Sequence, residues 1–219
     1  MSPAARPAAG GGRWVDVAAE RVERFLDGFV ERHDEVTVTA TPESVRLAAA
    51  DGATAACEVP FPPLHVDVAA AYAGLVAHAL HDRRVGVLLV RRGGFAAGVF
   101  DGPRLAASKV GSRHVQGRSA AGGWSQQRFA RRREGQARVA MGAAADVVAA
   151  VLLPHAETLD AVVAGGDRAA CDELLRDVRL APLLPLLVAR RLDVPEPRQR
   201  VLESTPAAFR SVRVHLNDP

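Results

Sequence analysis

Apolar residues recur at three- and four-residue steps between Trp14 and Arg32, at Val15, Ala18, Val22, Phe25, Leu26, Phe29 and Val30. That spacing predicts one amphipathic helix, with Asp16 placed to cap it. The period then falls to two. Val36 and Val38, Val45 and Leu47, and Thr54 to Val59 alternate with other residues, separated by Thr41-Pro-Glu-Ser44 and by Asp51-Gly52, and predict strands joined by hairpins. Pro60-Phe-Pro-Pro63 closes this helix-plus-hairpin unit, because proline neither donates to a ladder nor continues a helix. The expected organisation is a disordered tail over 1–13, a small N-terminal α/β unit over 14–62 and a larger domain over 63–219.

Beyond residue 63 the pattern predicts a helix from Val66 to Arg83 and a buried strand over Val85–Val90. Gly93-Gly94 turns the chain into a strand over Phe95–Phe100, and Gly102-Pro103 into another over Arg104–Val110, an antiparallel meander. A long helical pattern follows from Gln126 to Leu153. On a wheel of about 100° per residue with Arg128 at zero, Arg131, Arg132 and Arg138 fall between about −80° and +40°. Phe129, Ala140, Ala144, Val147 and Val151 fall between about 100° and 160°, so one side shows arginines and the opposite side packs. Asp160–Ala164 reads as a strand, Gly165-Gly166 as a turn and Asp167–Arg176 as a helix capped by its acid. Leu180–Pro197 fits helix and strand equally. A helix over Ser204–Phe209 and a strand over Val212–Leu216 are expected to complete the sheet. The fold class is α/β (α+β), a mixed β-sheet flanked by helices.

Composition adds exclusions. With 219 residues, 48% of them hydrophobic, the chain can bury a real core. No run approaches the roughly 18 apolar residues of a membrane span. Cys57 and Cys171 stand far apart without Cys-x-x-Cys or His-x-x-x-His spacing, which supports neither a disulfide framework nor a zinc site and suits a reducing cytoplasm. No metal or cofactor is expected. The formal net charge of +3 hides an uneven distribution: Lys109 to Arg138 holds eight basic residues and one acid, Glu134. A basic segment on a slightly acidic body points to a polyanion meeting one place on the surface, unless it is only a solvated arginine-rich helix.

That segment contains a glycine-rich stretch, Gly111 to Gln127, longer than a plain strand-to-helix connection. It lacks the Gly-Lys-Ser/Thr of a P-loop and the Gly-x-Gly-x-x-Gly of a dinucleotide fold, which argues against a nucleotide cofactor. Gly122-Gly123 permits close backbone approach to a ligand, and the helix beginning just after it offers free N–H groups to a phosphate or a developing oxyanion. Gln126 and Gln127 do not titrate. Their amides can orient a water or donate to charge in a transition state, which suits an activated ester. Read by itself, Gly-Gly-x-x-Gln is only the flexible start of a helix, as short motifs of this kind usually are.

Gly122-Gly-Trp-Ser-Gln-Gln127, preceded by Lys109-Val-Gly-Ser-Arg-His114 and followed by Arg128-Phe-Ala-Arg-Arg-Arg-Glu134, resembles the Vms-like release-factor family, in particular its actinobacterial branch of peptidyl-tRNA hydrolases. That family is similar to the catalytic middle domain of eukaryotic and archaeal class-1 release factors, and the likeness runs over roughly residues 64–216. It implies a release-factor middle-domain-like, RNase H-like fold. It also implies hydrolysis of the ester joining a nascent peptide to tRNA on a stalled large ribosomal subunit, with rRNA and peptidyl-tRNA as partners. The family's Gly-x-x-Gln element falls on Gly123 to Gln126, making Gln126 the implied catalytic residue and Gln127 the competing register. Trp124-Ser125 stands between the glycines and the glutamine, where release factors have none. Arg128, Arg131, Arg132 and Arg138, with Lys109, Arg113 and Arg118, would hold phosphates. Trp124 either stacks on a base or anchors the loop. His114 is a further phosphate contact, or the general base of a rival reaction that cuts the tRNA 3′ end. A non-catalytic ribosome-binding module would use the same arginines.

Overall fold

The computed structural model describes residues 5–8, 11–91, 93–113 and 125–218, with side chains at all of these except 5, 125–134 and 137. In chain order the strands and helices are β1 (Ala5–Pro7), β2 (Arg13–Val17), α1 (Val22–Val30), β3 (Thr37–Ala40), β4 (Ser44–Ala48), β5 (Thr54–Glu58), α2 (Leu75–Leu80), β6 (Arg84–Arg91), β7 (Gly94–Asp101) and β8 (Arg104–Ser112). They continue as α3 (Ser125–Leu152), β9 (Ala161–Gly166), α4 (Arg168–Leu174), β10 (Leu187–Leu192), α5 (Gln199–Glu203), α6 (Pro206–Phe209) and β11 (Val212–Asn217). The fold is mixed α/β with two sheets. It divides into one unit of Met1–His81 with Pro206–Pro219 and a second of Asp82–Thr205.

The first unit is an antiparallel sheet in the order β1-β2-β11-β5-β4-β3. Val15, Val17, Val45, Leu47, Ala55, Cys57, Val214 and Leu216 alternate onto one face, where Val22, Leu26 and Phe29 of α1 and Leu75 and Ala79 of α2 seal them from water. Burial pushes the Cys57 thiol up to about 12, so it is no nucleophile at neutral pH.

Several expectations change here. Trp14–Val17, expected to open a helix, is β2, because Val15 and Val17 also alternate and β11 supplies a pairing partner about 200 residues away. Asp16 is therefore no cap: it bonds Arg6 at 2.9 Å, and Arg21 stands before α1 without a side-chain cap. Ala5–Pro7, within the expected tail, pairs with β2. The helix expected over 66–83 shrinks to α2 after a 3-10 turn at Ala71–Gly74, where Tyr72, Ala73 and Gly74 all have positive φ. β11 joins this sheet and not the one that holds β6, β7 and β8. The unit boundary accordingly lies after His81, with the chain returning at Pro206, and not near residue 62.

The second unit is a mixed sheet in the order β10-β9-β6-β7-β8. β6, β7 and β8 form the expected meander; β9 runs parallel to β6, and β10 parallel to β9. β6 is buried from Val85 to Val90, as a central strand covered on both faces must be. α3 lies on one face, with Ala144, Val148, Val151 and Leu152 in a core with Leu88, Val90, Ala97 and Val99. Arg138–Thr158 is long and apolar enough to cross a membrane by length and composition, contrary to the expectation of no such run; here it packs as a core helix. Asp167 caps α4 as predicted, accepting from the Ala170 amide at 2.9 Å. The ambiguous Leu180–Pro197 stretch resolves into a 3-10 segment, Val178–Leu186, followed by β10. The helix expected over Ser204–Phe209 shortens to α6, which starts at Pro206, and α5, which no expectation covered, precedes it.

Candidate catalytic loop and basic helix

The glycine-rich segment leaves the sheet at the end of β8. Gly94 pairs with Ser112 there, and the Arg113 amide donates to the Gly93 carbonyl at 2.8 Å. Gly111 lies across from Phe95, whose ring is buried at the end of the core; a Cβ on Gly111 would run into that ring. The absent side chain thus lets β8 stay paired up to the point where the loop departs.

On the far side of the loop α3 begins at Ser125, so Gln126 and Gln127 occupy its first turn. First-turn amides lack intrahelical acceptors and carry the positive end of the helix dipole, which favours an anion or a developing oxyanion there. Among the described residues of α3, the first buried one is Ala140: Gly135 and Gln136 before it are half-buried, and Arg138 and Val139 are exposed. The fifteen residues from Ser125 to Val139 make about 22 Å of helix at 1.5 Å each.

Of the predicted phosphate contacts, Lys109 is exposed on β8, opposite Ala97 and on the sheet face that carries α3. Arg113 is exposed at the base of the loop, and Arg138 is exposed where α3 enters the core. Arg128, Arg131 and Arg132 belong to the backbone of α3; their side chains, like those of Gln126 and Gln127, lie outside the described residues. His114, Arg118, Gly122, Gly123 and Trp124 lie outside them altogether. Among the described residues, no group of three or more His, Cys, Asp or Glu side chains could hold a metal ion.

A fastening of α3 went unread in the sequence. Arg179, in the 3-10 segment, donates to Asp146 on α3 at 2.7 Å and to Asp177 at 2.7 Å. Its signal was Asp146 itself, the one acid between Gly135 and Ala156. Hydrogen bonds from the Arg179 side chain and amide hold the Asp177 carboxyl at about 2, below its ordinary 3.8. Because the folded value is the lower one, the stabilisation is complete above about pH 4 and fades as the pH falls towards 2. The gap in urea midpoint between the wild type and Asp177→Asn is accordingly expected to be constant near neutrality and to close in strong acid; a gap that persists at about pH 2 would separate it from this carboxylate.

No curated protein matches this chain. Among solved structures, the archaeal translation termination factor aRF1 is similar over 74% of this chain and 51% of that one, with 16% identity and a TM-score of 0.40. An archaeal protein is similar over 74% and 50%, with 17% identity and a TM-score of 0.36. Dom34 of S. cerevisiae, described as a translation termination-like factor involved in RNA quality control pathways and interacting with Hbs1, is similar over 94% and 67%, with 6% identity and a TM-score of 0.35. The chain spans about half the length of the two archaeal structures. The model of the Actinobacteria/chloroflexi VLRF1 release factor family matches residues 83–215, more than half of the sequence, and the chain belongs to that family.

Proposed function

We propose that the protein is a peptidyl-tRNA hydrolase that works in the cytoplasm on large ribosomal subunits still holding a nascent peptide. The observation that carries this reading is Gln126 in the first turn of a long helix, three residues after Gly123 of the Gly122-Gly123 pair, in a chain of a release-factor family. Gln126 positions a water against the ester carbonyl carbon. The water oxygen bonds to that carbon, the bond to the tRNA ribose oxygen breaks, and the proton ends on the released hydroxyl. Gly122 and Gly123 allow close entry of the backbone, and the first-turn amides of α3 favour the negative charge that builds on the carbonyl oxygen. Lys109, Arg113, Arg118, Arg128, Arg131, Arg132 and Arg138 hold phosphates of rRNA and tRNA, contacts that set position without reading sequence. The chemistry calls for no metal or cofactor, and chelators are expected to leave the rate unchanged.

The test is peptide release from peptidyl-tRNA on isolated large subunits, followed by sequencing of the tRNA 3′ ends. Intact terminal nucleotides are expected. A shortened tRNA would instead assign the chemistry to the phosphodiester, with His114 as the base. The basic helix has its own signature. If about five cations each neutralise a phosphate, subunit affinity falls with salt at a log–log slope of several units, and Arg131→Ala makes that slope shallower by roughly one. A slope near zero would reduce the patch to a solvated face.

A further inference from the structure

The sheet of the first unit has a face opposite its helices. α1 and α2 cover the apolar side, so every second residue of the six strands points the other way. Strand register aligns these residues into rows. One row crosses all six strands as Arg6, Trp14, His215, Ala56, Arg46 and Thr39, about 24 Å at roughly 4.8 Å per strand. It contains no acid, although the unit as a whole sets eight arginines against twelve carboxylates. The carboxylates of this face, Asp16 and Glu58, belong to the neighbouring row, each 3.6 Å from Arg213 between them; Asp16 also accepts from exposed Arg6 at 2.9 Å, a surface pair that a phosphate can compete for.

The middle of the row is aromatic. The Trp14 ring is half-buried, 4.9 Å from the His215 ring, with the Arg213 guanidinium 6.0 Å from its centroid. His215 is fixed by a hydrogen bond between its Nε2 and the Gly11 carbonyl at 3.1 Å. The turn that carries this carbonyl closes on the strand because Gly12, at positive φ, has no Cβ to collide with the Leu216 carbonyl. Beside the histidine, Ala56 leaves a low floor, and exposed Arg46 bounds it on the far side.

Ring faces, a shallow floor and cations at both ends are the parts needed to take an unstacked base and the phosphates flanking it. We infer that this face binds single-stranded RNA, with a base against Trp14 and His215 above Ala56 and the backbone running between Arg6 and Arg46. A duplex could reach the arginines yet would keep its bases from Trp14, and an acidic peptide has no group that needs the ring faces. The inference stands whether or not Gln126 releases peptide, and its test reads a different signal.

Trp14 and Trp124 are the two tryptophans, so Trp124→Phe in the full chain leaves Trp14 as the sole indole. Single-stranded RNA of about twelve nucleotides is expected to quench its fluorescence saturably. Arg46→Glu, at an exposed position, is expected to weaken that titration about tenfold, and a hairpin duplex of the same length to leave the fluorescence unchanged. No quenching by the single strand, equal quenching by the duplex, or a curve that Arg46→Glu leaves in place would overturn the inference. Quenching by polyglutamate would also overturn it, by assigning the face to a protein partner.

Discussion

Replacing Gln126 with alanine is expected to slow peptide release by about 100-fold or more while large-subunit binding is retained. The size follows from what an aligned amide contributes when it orients a nucleophile or meets charge in a transition state. The position follows from the helix: successive residues of its first turn point about 100° apart, so Gln126 and Gln127 cannot perform the same task. Gln127→Ala is therefore the control, and it should release peptide at close to the wild-type rate. The reverse outcome would shift the register by one residue; loss in neither variant would remove glutamine from the chemistry. Because the amide carries no charge, Gln126→Ala should also leave the salt slope of binding where it was, which separates it from the arginine variants.

The second large effect lies in the core. Leu88 is fully buried in β6 and shares its cluster with Val148 and Leu152 of α3, the helix whose first turn carries Gln126. Leu88→Ala removes packed atoms and leaves a cavity between strand and helix, at a cost of about 2–5 kcal/mol. For a unit of this size the melting temperature is expected to fall on the order of 10 °C, measured by circular dichroism. Below that melting point release should persist. The two variants thus dissociate: Gln126→Ala loses release with unchanged melting, and Leu88→Ala loses melting with retained release. A Leu88→Ala protein that melts like the wild type would mean that this contact does not hold α3 to the sheet.

Local pattern carried much of this molecule. The β6–β7–β8 meander was legible because its strands neighbour one another in sequence and glycine marks their turns; α3 was legible from its apolar face, and α4 from Asp167. What local pattern could not reveal was pairing between distant segments. Val15 and Val17 fit a helical step and a strand alternation alike, and only β11, arriving from residue 212, decides for the strand. Pro182 and Pro185 hid β10 by disturbing every period around them. The candidate site rests on another kind of signal. Gly122-Gly123 and Gln126 form no periodic pattern; their signal is chemical, an untitratable amide beside glycines and arginines. Lys109 owes its place on the α3 side to strand alternation, whereas the Arg179 clasp required tertiary structure to bring Asp146 within reach.

The position of β11 bears on how the protein comes to be made. It lies between β2 and β5, hydrogen-bonded to both, so a growing chain that has not passed residue 212 holds two half-sheets with a vacant slot between them. Synthesis therefore finishes the Asp82–Thr205 unit first and the unit that brackets it in sequence afterwards, although translation of the latter starts earlier. During that interval two unsatisfied strand edges remain, which makes a premature stop shortly after residue 205 a source of sticky fragments and not of a shorter folded protein.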